Sequence, residues 1–193
     1  MLAAVTALAA LGAAGAALAG AAGLRVNFSG SLPRGLYRLE RGAPAPRAFD
    51  LVLVCPPPAA AALARRRRYL GAGPCPAGSR PLGKLVLAGP GDLVELSAAG
   101  VAVAGASRVA PASRPLAADA AGRPLAHASY GRRRLGRGEL WAYAPHPRSF
   151  DSRYFGPVAA AGLRGRLTPL WVTRSSPADR TLLELAARRR LPP

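Results

Sequence analysis

The chain has 193 residues, enough for one folded domain, and although 50% of them are hydrophobic, many of those are alanine and only 6% of the chain is aromatic, so the core must be modest. Its formal net charge is +18, from 27 basic against 9 acidic residues. No helix-turn-helix, zinc finger or aromatic-interleaved basic strand accompanies that charge, so no specific nucleic-acid partner is expected, and a solvated basic surface facing anionic lipid is the simpler reading.

Residues 2–24 contain no charged side chain. As a helix rising about 1.5 Å per residue they would reach across a hydrocarbon layer of about 30 Å, so residues 1–24 read as a membrane anchor. A cleaved signal segment is the alternative, because the small residues at 19–23 suit a cleavage site. Arg25, Arg34, Arg38 and Arg41 follow the segment and no basic residue precedes it, which by positive-inside counting would put the domain in the cytoplasm. Cys55 and Cys75 argue against that placement. Separated by a segment with Pro and Gly, they suit a disulfide worth about 3 kcal/mol in an oxidising compartment. Two small buried thiols are the other reading of the pair.

Residues 25–178 read as one domain. Two short strands are expected at 35–39 and 50–54, separated by a Pro-rich loop. An irregular excursion follows over 56–81, with a helical turn within 59–69 and the basic run Arg65, Arg66, Arg67, Arg68. Apolar strands at 85–87, 93–96 and 101–103, punctuated by Gly89-Pro90-Gly91-Asp92, predict an antiparallel sheet. Residues 106–136 show no period and read as loop with short strands. A further strand is expected at 138–143, then a polar and aromatic loop at 149–157. Residues 179–193 read as a short amphipathic helix, with Leu182, Leu183, Leu185 and Ala186 at helical spacing, and a basic tail. His127 and His146 stand alone and the cysteines lack CxxC spacing, so neither a metal nor a cofactor is expected.

One residue stands out chemically. Lys84 is the only lysine among the 27 basic residues. A guanidinium keeps its proton at any useful pH, whereas a buried ammonium can lose it and act as a base. Lys84 lies in the apolar run 81–88, where burial would lower its pKa from about 10.4 towards neutrality. A serine hydroxyl needs such a base to become nucleophilic, and a serine-bearing stretch, 27–37, begins directly after the proposed anchor. The competing reading is a strand-end lysine that reaches out to solvent.

Ser31-Leu32-Pro33-Arg34-Gly35-Leu36-Tyr37 after an anchor, then Lys84-Leu85-Val86-Leu87-Ala88-Gly89-Pro90-Gly91-Asp92, then Ser149-Phe150-Asp151-Ser152-Arg153-Tyr154-Phe155-Gly156-Pro157, with Thr168-Pro169-Leu170 later, form an ordered set. The set resembles the bacterial signal peptidases, and most closely their conjugative-transfer branch, TraF. The resemblance implies a mainly β, signal-peptidase-like antiparallel domain with an N-terminal transmembrane helix, held single-pass in the bacterial inner membrane with the catalytic domain on the periplasmic side. It implies a serine endopeptidase in which Ser31 is the nucleophile and Lys84 the general base. By the same resemblance Ser29 adds its hydroxyl to the oxyanion hole, Ser149 orients the lysine, Asp151 is a third catalytic residue, and Arg153 pairs with it to order the site. Ser29 as a simple turn cap and Asp151–Arg153 as a structural ion pair are the plainer readings. The implied substrate is a pilin precursor, cleaved or cyclised. A general leader peptidase acting on other exported precursors, and a non-enzymatic basic membrane protein binding nucleic acid or anionic lipid, are the rival functions.

Overall fold

The computed structural model describes residues 5–6, 20–104 and 114–188. Most of the proposed anchor lies outside them. Among the described residues no helix is long and apolar enough to cross a membrane, and Leu24, the last residue assigned to the anchor, opens a strand.

Seven strands build the main antiparallel sheet: β1 (Leu24–Asn27), β2 (Gly35–Glu40), β3 (Leu51–Val54), β5 (Leu82–Ala88), β9 (Glu139–Tyr143), β10 (Val158–Ala159) and β11 (Leu163–Val172). Their spatial order is β1-β2-β11-β3-β5-β9-β10. A smaller sheet, β7-β6-β8, is made by β6 (Leu93–Ser97), β7 (Gly100–Val103) and β8 (Gly131–Arg134). β5 reads as an almost continuous apolar run because it is interior on both faces. Leu85 joins a cluster with Leu32, Tyr37, Leu51 and Leu167. Val86 joins Val52, Val54, Leu140 and Ala142, while Leu87 and Ala88 pack with Val94, Val103, Trp141 and Tyr143 towards the small sheet. Three cores therefore meet on one strand, and Lys84 is carried on it.

β11 is the long central strand that periodicity did not single out. Its Leu163, Gly165 and Leu167 alternate with Arg164, Arg166 and Thr168, but Pro169 removes a ladder donor and breaks the visible pattern. The strand accommodates it with an irregularity between Pro169 and Trp171 opposite β2. Gly35, at φ 145°, faces that bulge, and a side chain there would collide with the Trp171 carbonyl.

The excursion after β3 is ordered. It holds helix α1 (Pro58–Arg66) and strand β4 (Ala72–Cys75), and a Cys55–Cys75 disulfide with Cα atoms 5.4 Å apart ties it to the end of β3. Two more helices complete the fold: α2 (Ser152–Phe155) and α3 (Pro177–Arg188). α3 is not a loose tail, since Leu182 and Leu185 enter the cluster around Leu85 and Tyr37.

Candidate active site

Three segments supply the site. The first is the turn between β1 and β2, which carries Ser29 and Ser31. Asn27 holds it from within: Nδ2 donates to the carbonyls of Ser29 (3.1 Å), Leu32 (2.9 Å) and Pro33 (3.1 Å), and Oδ1 accepts from the Ser29 N–H (3.1 Å) and hydroxyl (2.7 Å). From the core side the buried Tyr37 hydroxyl donates to the Pro33 carbonyl at 2.6 Å. Leu32 seats against Gly83, where an added Cβ would lie 2.7 Å from Leu32 Cδ1. Gly83 thus lets the turn lie flush on the strand that bears Lys84.

The second segment is β5. Lys84 pairs across the ladder with Val52, so the pleat puts it on the face that also carries Val86. The third segment follows β9. There Ser149 turns back on itself, its N–H donating to the His146 carbonyl at 3.0 Å.

The segments converge on three atoms. Lys84 Nζ lies 2.7 Å from Ser31 Oγ and 2.7 Å from Ser149 Oγ, and the two hydroxyl oxygens are 3.1 Å apart. Lys84 is 0% exposed and Ser149 3%. Both hydrogen-bond partners of the lysine are hydroxyls, with no carboxylate among them. Burial therefore dominates: it pushes the Lys84 pKa down from 10.5 to about 8, with the Asp151 charge opposing and the Arg153 charge assisting.

Asp151 and Arg153 form a separate, fully buried unit behind Ser149. The carboxylate accepts from Arg153 Nε (2.8 Å) and Nη2 (2.8 Å), a bidentate pair, and from the N–H groups of Ala144 and Arg153 (both 3.2 Å). It also caps α2. Arg153 Nη2 reaches the carbonyls of Ser149 (3.1 Å) and His146 (3.2 Å), and its guanidinium lies 5.3 Å from the Tyr143 ring centroid. Burial opposes its charge, but the Asp151 carboxylate outweighs that and holds the guanidinium above its usual pKa. Asp151 makes no hydrogen bond to Lys84 or Ser31; its hold on them runs through Arg153 and the Ser149 backbone.

The structure brings Ser31, Lys84 and Ser149 into contact and sets Asp151 and Arg153 directly behind. Ser29 shares the turn with Ser31, exposed, with its hydroxyl directed to Asn27. Cys55 and Cys75 close the neighbouring excursion. Sequence reasoning gave Asn27 no role, although an Asn two residues ahead of Ser29-Gly30 is a turn signal in its own right. It also left His146 unplaced: that ring lies against the turn, with Nε2 3.5 Å from where a Gly30 Cβ would sit. A cleft of about 1170 Å³ opens over Ser31, lined by Phe28, Ser29 and Leu32 and, from other segments, by Tyr69 and Phe150.

A buried lysine bonded only to two hydroxyls, on an antiparallel sheet and beside a peptide-sized cleft, is an arrangement in which an amine can take a proton from a serine hydroxyl. The chain belongs to the family described as signal peptidase, peptidase S26, whose profile matches residues 1–171. Within that class it is similar to a "Probable conjugal transfer protein TraF" of Sinorhizobium fredii, 39% identical over 144 residues covering 74% of each chain. It is likewise similar to a "Plasmid transfer protein TraF" of Escherichia coli, 37% identical over 152 residues, 78% of this chain and 83% of that one. Among solved structures, a signal peptidase I of Enterococcus faecalis V583 aligns with 64% of this chain and 97% of its own, at 20% identity and a TM-score of 0.37.

Proposed function

We propose that the protein is a Ser31/Lys84 endopeptidase that processes a pilin precursor, or another exported precursor protein, in conjugative transfer. The observation that carries this reading is the fully buried Lys84 amine 2.7 Å from the Ser31 hydroxyl. The family and the names of its relatives support the biological setting.

In its neutral form Lys84 Nζ accepts the Ser31 proton as Oγ attacks the scissile carbonyl. The ammonium so formed gives that proton to the leaving amine, and an acyl-enzyme remains on Ser31. Water activated by Lys84 then releases the acid. If the substrate's own amino group attacks instead, the product is a cyclic peptide shorter by one water. Ser149 holds Nζ on the line to Ser31, and Asp151 and Arg153 keep Ser149 in place. Ser29, on the same turn as Ser31, would release its hydroxyl from Asn27 and offer it to the developing oxyanion, a donor of a kind worth about 3 kcal/mol. An N-terminal membrane anchor with the domain on the periplasmic side would place the turn beside the membrane, where exported precursors emerge. The Cys55–Cys75 disulfide favours an oxidising compartment.

The test is processing of a pilin precursor in membranes by the wild type, Ser31→Ala and Lys84→Arg, read by mass spectrometry. Each substitution is expected to lower the rate by about 10⁴-fold or more, because the first removes the nucleophile and the second leaves a cation that keeps its proton. Processing that survives both at normal protein levels would overturn the reading.

A further inference from the structure

The peptidase reading leaves one side of the cleft without a role. Tyr69 follows α1 inside the loop closed by Cys55–Cys75, and its N–H donates to the Ala64 carbonyl at 2.8 Å. It belongs to none of the three apolar cores, yet its position is tightly fixed. Its hydroxyl donates to Asp119 Oδ2 and accepts from Arg67 Nη1 at 3.3 Å. Asp119 is held in turn by Arg67 (3.4 Å), by Arg123 Nε (2.8 Å) and by the N–H groups of Ala121 (2.9 Å) and Arg123 (3.0 Å). This knot joins two segments distant in sequence, the excursion and the 116–125 loop.

The ring itself meets the catalytic loop. Tyr69 packs edge-on against Phe150, centroids 5.4 Å apart at 62°, and Phe150 directly follows Ser149. Phe150 is braced by Tyr154 at 5.8 Å and Phe155 at 5.1 Å, and the Tyr154 hydroxyl accepts from the Leu116 N–H at 3.1 Å. Tyr69, Leu70, Leu116, Leu125, Phe150 and Tyr154 all line the same cleft as Ser31. The hydroxyls of Tyr69 and Tyr154 are already hydrogen-bonded, with Asp119 and with the Leu116 N–H, so what these six residues show the cleft is mainly aromatic and aliphatic surface. A ring fixed this way loses little freedom when a ligand packs on it, which is the condition for selective recognition.

We propose that Tyr69 is a specificity-determining residue: with Phe150 it walls an apolar compartment of the cleft that receives a large apolar side chain of the peptide substrate. The proposal rests on the peptidase reading for the identity of the ligand as a peptide. An apolar pocket that fits one side chain discriminates it from a smaller one by about 10-fold or more.

The test uses the full chain carrying Ser31→Ala, solubilised in detergent, so that binding is measured without turnover. Labelled peptides share an alanine-rich frame in which a single Phe is moved from position to position, and affinity is read by fluorescence anisotropy. Phe at one position is expected to bind about 10-fold tighter than the all-alanine frame. Adding Tyr69→Ala should erase most of that advantage, weakening the Phe peptide far more than the all-alanine frame. Tyr69→Phe, which keeps the ring and its packing on Phe150 but not the hydroxyl's bonds, should retain more of the advantage than Tyr69→Ala. Leu116→Trp, which fills the compartment instead of opening it, should also abolish the advantage, so the inference stays testable if Tyr69→Ala does not fold. An unchanged Phe advantage in Tyr69→Ala, or an equal loss for both peptides, overturns the proposal. Cleavage of the same peptides by the chain with Ser31 intact separates the two readings. Selectivity without cleavage would sink the peptidase assignment and leave Tyr69 standing; cleavage without selectivity would do the reverse.

Discussion

Lys84 and Arg153 are both cations at 0% exposure, and the protein treats them in opposite ways. Arg153 is surrounded by a bidentate carboxylate and by main-chain carbonyls, so its charge is matched and its proton is kept. Lys84 is given two hydroxyls and an apolar strand, so its charge is poorly matched and its proton is loosely held. The difference lies in the surroundings: Arg153 is a matched buried cation and Lys84 a mismatched one, which under the proposed function suits Lys84 to proton transfer.

The sharpest way to break the contrast is to unmatch Arg153. Asp151→Ala leaves a guanidinium buried without its carboxylate, and a loss of about 4 kcal/mol is expected, read as a lower urea midpoint with unchanged slope. Replacing Asp151 and Arg153 together by apolar residues of similar size should cost less than Asp151→Ala alone. If the single substitution were silent, the carbonyls alone would be matching Arg153, and the contrast with Lys84 would be weaker than drawn.

Lys84 should answer in the opposite direction. Its pKa falls from 10.5 in the unfolded chain to about 8 in the folded one, so between those values the unfolded chain binds more protons and stability rises with pH. Below about pH 8 the full penalty of the buried ammonium is present, about 3 kcal/mol by the size of the shift; above about 10.5 it is gone. Lys84→Met removes this dependence. At pH 7 the variant is expected to be about 2 kcal/mol more stable than the wild type and inactive, and the difference between the two should shrink to the alkaline side. A Lys84→Met protein less stable than wild type at pH 7 would show that the amine is held for stability. The same proton governs rate: kcat/KM should climb about tenfold per pH unit below about 8 and then level off, and a flat profile through that range would count against Lys84 as the base.

The two cations were not equally legible in the sequence. Lys84 announced itself, because a single lysine in an arginine-rich chain, inside the run Leu82-Gly83-Lys84-Leu85-Val86-Leu87, is conspicuous by chemistry and by pattern. The strands flanking it, β3 and β9, were readable for the same reason of apolar continuity. Arg153 was one arginine among many, and its pairing with Asp151 came from family resemblance, since nothing in the spacing shows that both are buried. β11 was hidden by Pro169 and by Arg164 and Arg166, which interrupt its apolar residues. The excursion 56–81 read as irregular because its order comes from contacts distant in sequence: the Cys55–Cys75 bond, and Tyr69 meeting Asp119 fifty residues on. Asn27 offered a turn signal, but only the fold shows that it holds the carbonyls of Ser29, Leu32 and Pro33 together with the Ser29 N–H and hydroxyl.

Ser149 is where the two treatments meet, and it offers the smallest and most discriminating perturbation. Its hydroxyl serves Lys84, while its backbone carbonyl is held by Arg153. Ser149→Ala keeps the backbone contact and deletes only the hydroxyl, so the loss of stability should be about 1–3 kcal/mol while Lys84 is charged and smaller once it is neutral. The hydroxyl accepts a hydrogen bond from the charged amine, so losing it disfavours the ammonium and should move the acid limb of the rate profile to lower pH. The rate on the plateau should nevertheless fall by about 10-fold, because Nζ is no longer aimed at Ser31. A limb that moves down while the plateau drops separates orientation from proton affinity. A limb that moves up would mean that Ser149 stabilises the neutral amine, by donating its own proton to Nζ, and the roles assigned to the two hydroxyls around Lys84 would have to be exchanged.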